Sequence, residues 1–309
     1  MTLRLLSYLS LWSLLSHQAV LCAVEYPYAP YRNGAMDPQL SGWPLTPAGE
    51  AYVMTPEYDR KPGREVLQHL PAMWPVTPTA GHWGAKEPNN RRYLDLHDRV
   101  VKQVQLNGGD IDLLLLGDSI TQHWGGDVVD RAPLRAAWKR HFGNRRMINA
   151  GIGGDRIENV LWRIEHGTLE GANPRIVVLL IGVNNTPLMA SGVPAHAVAE
   201  GIRLAVMRIR ELCPRSQVVV VQILPFGKPT DVNSGHAQTI NNALVAMDLE
   251  QDPLVHLLDA SPGMREDDGI VKPGILAPDH LHLAEAGYEA YAQQLQPLID
   301  RLLDGAPSK

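Results

Sequence analysis

The stretch Ile111-Asp-Leu-Leu-Leu-Leu-Gly117-Asp118-Ser119-Ile120-Thr121-Gln122 decides how the rest of the chain is read. Residues 111–116 are apolar apart from Asp112, as in a strand buried on both faces, and the run breaks off into a Gly-Asp-Ser turn. Further apolar runs at 147–150, 176–181, 218–224 and 255–258 predict four more strands. Helical spacing separates them. Tyr93, Leu96, Val100, Val101 and Val104 form one stripe that Gly108-Gly109 ends. Val198, Ile202, Ala205, Ile209 and Leu212 form a second, and Tyr288, Tyr291, Leu295, Leu298 and Leu302 a third, with a kink expected near Pro297. Strands alternating with helices predict an α/β fold: a three-layer α/β/α sandwich around a doubly wound, five-stranded parallel sheet. Five strands are too few for an eight-stranded barrel.

In such sheets ligands bind beyond the carboxyl ends of the strands. Ser119 follows the first strand, Gly153-Gly154 the second and Asn184-Asn185 the third, so all are expected on one rim. The segment Asp279-His280-Leu281-His282 lies between the fifth strand and the last helix, and its loop can fold back over that rim. A serine hydroxyl is a poor nucleophile until a base takes its proton. His282 is the candidate base, and Asp279, three residues earlier, the carboxylate that orients it. Attack on an ester carbonyl creates an oxyanion that needs fixed donors. The backbone N–H groups of Ser119 and Gly154 and the side-chain amide of Asn184 are the candidates. A helix opening at Thr121 and Gln122 would add favourable dipole at the serine.

Each piece alone has a plainer reading. Ser119 is a helix cap, Gly153-Gly154 a tight turn, Asn184-Asn185 turn chemistry, and 279–282 a polar helix entry. Their order and shared rim favour catalysis. Among the 12 histidines, His280 and His282 alternate as metal ligands can, but no His-Glu-x-x-His motif or cysteine pair accompanies them, so neither metal nor cofactor is expected. Positions 117–121 read Gly-Asp-Ser-Ile-Thr, which is not the Gly-x-Ser-x-Gly nucleophile elbow. The first loop is also too poor in Ser, Thr and Gly to cradle a phosphate as a flavodoxin-like binder would.

The formal net charge of −5 gives no reason to expect nucleic acid as a partner. The densest basic stretch, Arg135, Lys139, Arg140, Arg145 and Arg146, reads as the wet face of a helix and its following turn. At the N-terminus Arg4 precedes an uncharged run over 5–24 with small residues at Ala19 and Ala23. Residues 1–23 therefore read as an export signal cleaved near Ala23, giving a periplasmic or secreted protein with no obligatory membrane partner. Removal of that segment leaves Cys213 alone, placed as a buried, inert thiol. Residues 24–90 hold 11 of the 24 prolines and eight aromatics, which predicts an ordered, irregular extension packed on a domain at 91–309.

These motifs resemble the four blocks of the SGNH (GDSL) hydrolases: Gly117-Asp118-Ser119, Gly151-Ile152-Gly153-Gly154-Asp155, Gly182-Val183-Asn184-Asn185, and 279–282. The resemblance covers roughly residues 92–303. It implies a serine nucleophile at Ser119, base and acid at His282 and Asp279, and oxyanion donors at Ser119, Gly154 and Asn184. Within the family, Asn149-Ala-Gly-Ile-Gly-Gly-Asp-Arg156 and Asn159-Val-Leu-Trp-Arg163 are similar to the catalytic subunits of intracellular platelet-activating-factor acetylhydrolases. The positions that close the acyl pocket in that subgroup match Ile120, Val183 and Leu281, whose bulk implies a short acyl group, acetyl foremost. An equally open reading makes them core. The expected function is a metal-independent esterase for short-chain esters of small molecules or carbohydrates, acting through an acyl-enzyme. The alternatives are an acyltransferase using the same residues and a non-catalytic glycan-binding protein on the same fold.

Overall fold

The computed structural model describes residues 91–107, 110–124, 132–189, 194–228 and 231–305. The export signal and the extension proposed for 1–90 lie outside them.

Helix α1, Arg91–Asn107, leads into β1, Leu113–Gly117. Asp112, just before the strand, ties it to Arg146. Its carboxylate accepts from the Arg146 amide at 3.0 Å and the Arg146 guanidinium at 2.8 and 3.1 Å. Those hydrogen bonds hold the Asp112 carboxyl below the usual range. Then come α2, Ser119–Gln122, and α3, Ala132–Phe142. Strand β2, Met147–Gly151, is followed by α4, Ile157–Arg163, which runs into a wider turn at Ile164–Thr168. Strand β3, Ile176–Leu180, leads through a 3₁₀ turn at Val183–Asn185 to the short α5, Thr186–Met189. Helix α6, Ala195–Leu212, strand β4, Gln217–Val221, helix α7, Val232–Ala246, strand β5, Val255–Leu258, and helix α8, Glu285–Asp304, complete the order.

All five strands are parallel, in the order β2-β1-β3-β4-β5. The sequence-predicted sheet is thus present. Chain direction across the sheet reverses between β1 and β3, and the crevice at such a reversal is where doubly wound folds place ligands. Gly117 pairs with Leu180 at that point. Every residue of β1 and β3 is buried, at roughly 1.5–3 kcal/mol for each Leu, Ile or Val side chain removed from water.

Helices α3 and α8 pack on each other. Between them Trp124, Trp138, Phe142, Tyr288 and Tyr291 form an aromatic cluster with ring centroids 4.5–5.7 Å apart. The basic stretch serves this interface. Arg140 and His141 bond Glu289 at 2.7 and 2.6 Å, and Arg145 bonds Asp300. Helices α4 and α7 both pack on α6. Tyr93 and Leu96 of α1 pack with Ile152 and Trp162 beneath the second block.

Some details differ from expectation. The strand predicted over 218–224 ends at Val221, although Ile223 and Leu224 are buried. Asn241 takes over the ladder's role there, accepting from the Ile223 amide and donating to its carbonyl, both at 2.9 Å. Leu212, assigned to a buried stripe, is 40% exposed at the end of α6. The helix expected to open at Thr121 begins at Ser119 and lasts one turn, too short for a cumulative dipole. Cys213 is fully buried, one residue past α6.

Candidate active site

Gly117 ends β1 where no side chain fits. A Cβ there would lie 2.2 Å from the Leu180 carbonyl oxygen and 2.4 Å from Thr121 Oγ1. Asp118 then caps the single turn of α2, its Oδ1 accepting from the Ile120 amide at 2.9 Å. Burial pushes the Asp118 carboxyl up to about 7, with that amide pulling the other way. Tyr288 of α8 donates its hydroxyl to the Ile120 carbonyl at 2.7 Å, which ties the last helix to the serine turn. Ser119 is left half-buried on the rim.

The loop after β5 brings Asp279 and His282 to that rim. Asp279 Oδ1 accepts from the amides of Leu281 and His282, both at 3.0 Å, so the carboxylate organises its own turn. Its Oδ2 lies 2.7 Å from His282 Nδ1, and His282 Nε2 lies 2.8 Å from Ser119 Oγ. Carboxylate, imidazole and hydroxyl therefore stand in file. Partial burial works against the charged carboxylate, but the hydrogen bonds from His282 and the two amides outweigh it and hold Asp279 at about 2. An imidazole whose Nδ1 faces a carboxylate keeps Nε2 available to accept a hydroxyl proton. The Gly227 amide donates to the His280 carbonyl at 2.6 Å, pinning the loop from outside. The His123 ring packs against His282 at 5.0 Å.

The other two blocks meet beside this file. Gly154 has φ 77°, a left-handed conformation that favours glycine. The Gly153 amide donates to Gln122 Oε1 at 2.9 Å, docking the second block on the serine turn. Asn184 Nδ2 donates to the Asp155 carbonyl at 2.8 Å. A primary amide carries two N–H bonds, so this fixes the side chain and leaves one donor. Asn185 is structural. It accepts from the Ile157 amide at 3.1 Å and donates to Glu158 at 2.9 Å. A cavity of about 860 Å³ opens here, and Gly154, Val183, Asn184, Asp279 and Leu281 line it. Two of the three acyl-pocket candidates, Val183 and Leu281, are thus on its wall. The third candidate, Ile120, is 3% exposed, in the turn that carries Ser119.

Sequence reasoning missed what lies beneath. Arg163, at the end of α4, is fully buried and pairs with the equally buried Asp155 through Nε at 2.8 Å and Nη2 at 2.7 Å. Its remaining donors reach the Ala150 carbonyl at 2.6 Å and the Gly117 carbonyl at 3.1 Å. One guanidinium therefore joins the ends of β1 and β2 to the loop bearing Gly154. Burial pushes the Asp155 carboxyl up to about 7 against the pull of Arg163. Asn149 works similarly, donating to the carbonyls of Thr121 and Trp124, both at 2.7 Å. Both residues stood inside motifs quoted above, but nothing in their spacing announced these partners. Among the described residues no group of three or more His, Cys, Asp or Glu could hold a metal ion, and no helix is long and apolar enough to cross a membrane. His282, one of the two alternating histidines, has both ring nitrogens engaged in the file.

A parallel sheet in the order β2-β1-β3-β4-β5, with a serine after its first strand and an Asp-x-x-His turn ahead of its last helix, is the architecture of the SGNH hydrolases. The signature of the GDSL-like lipase/acylhydrolase family matches residues 115–290, and the chain belongs to that family. It is 34% identical over 222 residues to the platelet-activating factor acetylhydrolase IB subunit alpha1 of Homo sapiens, covering 70% of this chain and 88% of that one. It is 31% identical over 219 residues to the human alpha2 subunit, covering 71% and 88%. Among solved structures, a GDSL-like lipase from Bacteroides thetaiotaomicron superposes with a TM-score of 0.52 at 16% identity, over 69% of this chain and 98% of that one.

Proposed function

We propose that this protein is a metal-independent carboxylic ester hydrolase that cleaves short-chain esters, acetyl esters foremost, through an acyl-enzyme. The observation that carries the reading is the unbroken file from Asp279 Oδ2 through His282 to Ser119 Oγ, with contacts of 2.7 and 2.8 Å. In the first step Ser119 Oγ bonds to the ester carbonyl carbon while its proton passes to His282 Nε2. The oxyanion is held by the amides of Ser119 and Gly154 and by the second N–H of Asn184. As the intermediate collapses, the carbon–alkoxide bond breaks and His282 returns the proton to the leaving alcohol. Water then gives its proton to His282, attacks the acyl-serine and releases the acid, regenerating the hydroxyl. Asp279 orients the imidazole and stabilises its cationic form throughout.

Val183 and Leu281 line the cavity that Asp279 also borders, and their apolar bulk supports a short acyl chain. The relatives, acetylhydrolase subunits by name, point the same way. The remaining wall includes Arg156, Thr186, Asp231 and Asn233 with Phe226, a hydrogen-bonding surface suited to a polyhydroxylated alcohol such as a carbohydrate. A p-nitrophenyl ester series from acetate to octanoate tests the reading. Turnover is expected to be highest with acetate, to persist in EDTA, and to vanish in Ser119→Ala at unchanged melting temperature. Preference for octanoate would overturn the acyl-size argument, and turnover by Ser119→Ala near that of the native chain would overturn the nucleophile.

A further inference from the structure

A second cavity, of about 520 Å³, adjoins the first and shares Phe226, Lys228 and His280 with it. Three cations face it, Lys228, Arg265 and Lys272, against one carboxylate, Asp268. This is a cationic locus in a chain whose formal net charge is −5. None of the three has an ion-pair partner among the described residues, whereas the arginines at 140, 145, 146, 163, 175, 203, 208 and 210 all do. Asp268 is already engaged, its Oδ1 accepting from the Ile270 amide at 2.9 Å. Arg265 donates one N–H to the Gly269 carbonyl, which holds its hairpin together and leaves its other donors for a ligand.

The backbone at the junction of the two cavities is held in a fixed conformation. His280 has φ 59°, and it is one of two non-glycine residues in the left-handed region among those described. Such conformations are strained for a side chain and persist where surrounding bonds over-determine them. Here the His280 amide donates to Ala277 at 2.9 Å and the carbonyl accepts from Gly227 at 2.6 Å. The strained residue stands where the cavity beside the catalytic file meets the cationic one.

We infer that the second cavity is a subsite for an anionic group, carboxylate or phosphate, carried on the alcohol half of the ester. The inference rests on the esterase reading and deepens it. The acyl group enters beside Val183 and Leu281, the alcohol half extends past His280, and its negative charge is met by Lys272, Arg265 and Lys228. Uncompensated cations around a partly enclosed cavity bind anions through charge-assisted hydrogen bonds, and the attraction weakens with added salt.

The test compares three acetyl esters on the full-length chain: acetylated oligogalacturonate, which carries carboxylates; acetylated xylo-oligosaccharide, which is neutral; and an acetyl ester of glycerol 3-phosphate. At least one anionic ester is expected to have a lower KM than the neutral one, and which one identifies the source of the charge. Lys272→Ala is expected to raise KM for that substrate by about tenfold, Lys272→Glu by more, and Lys272→Arg to restore most of it. Raising salt from 50 to 500 mM is expected to raise KM for the anionic ester alone. Lys272 touches only the second cavity, so p-nitrophenyl acetate turnover in these variants should match the native chain. Equal KM for charged and neutral esters, or equal losses for both on substitution, would overturn the subsite. Loss of p-nitrophenyl acetate hydrolysis in the native chain would instead count against the esterase reading, so the two failures are distinguishable.

Discussion

Asn184→Ala separates the two hydrogens of one amide. One donates to the Asp155 carbonyl at 2.8 Å, and the other is assigned to the oxyanion. Losing the first leaves a part-buried carbonyl without that partner, which costs about 1 kcal/mol of stability and lowers the melting temperature by a few degrees. Losing the second removes a transition-state donor, worth about 10²–10³ in kcat, or about 2.7–4 kcal/mol. Because the substrate carbonyl carries little charge before attack, KM should change less than threefold. Initial rates with p-nitrophenyl acetate and a thermal melt on the same sample measure the two effects separately. Asn184→Asp supplies a control of equal size that donates nothing and adds a negative charge, and its kcat should fall at least as far. A kcat within tenfold of the native value, or a loss confined to KM, would refute the assignment and leave Asn184 as a brace for the Asp155 turn.

Arg163→Met removes a buried cation and strands Asp155 without its partner; the expected cost is about 3–5 kcal/mol, read as a lower urea midpoint. A midpoint within 1 M of the native one would show that the pair is replaceable. Asp279 gives a pH test. Its folded pKa of about 2 lies below the usual carboxylate value, so its contribution to stability is present above about pH 4 and is lost as pH falls toward 2. The side chain is 52% exposed, so screening keeps that contribution small, under about 1 kcal/mol. The melting temperatures of the native chain and Asp279→Ala should therefore converge between pH 4 and 2; a gap that widens there would contradict the sign. At pH 7 the same variant should lose far more activity than stability.

The Asp279–His282–Ser119 file was legible because its members sit in short strings with a turn or strand signature of their own. Gly117-Asp118-Ser119 follows an apolar run, and Asp279 and His282 fit within one turn, so each group's local geometry is set by a few neighbouring residues. What needed the third dimension was different in kind. The depth of Ile120 is of that kind: one step along a helical turn rotates a side chain by roughly 100°, and sequence spacing does not show that this residue ends only 3% exposed. The strand predicted to 224 ends at 221: Ile223 and Leu224 are as apolar and buried as strand residues, while the backbone of Ile223 is partnered by a side chain on α7. Arg163 and Asp155 are charged residues eight positions apart, and only the convergence of β1, β2 and α4 gives their charges a shared interior. The second cavity was equally hidden, since Lys228, Arg265 and Lys272 come from two separate loops.

Acid and base arise from a single four-residue turn, whereas the hydroxyl they serve belongs to the opposite end of the domain's sequence. The two contacts consequently have unequal fates when the turn drifts outward. The link between residues 279 and 282 travels with it, while the link to residue 119 is the one that parts. A displaced turn would leave a paired imidazole with no hydroxyl in reach, while the sheet below keeps its register.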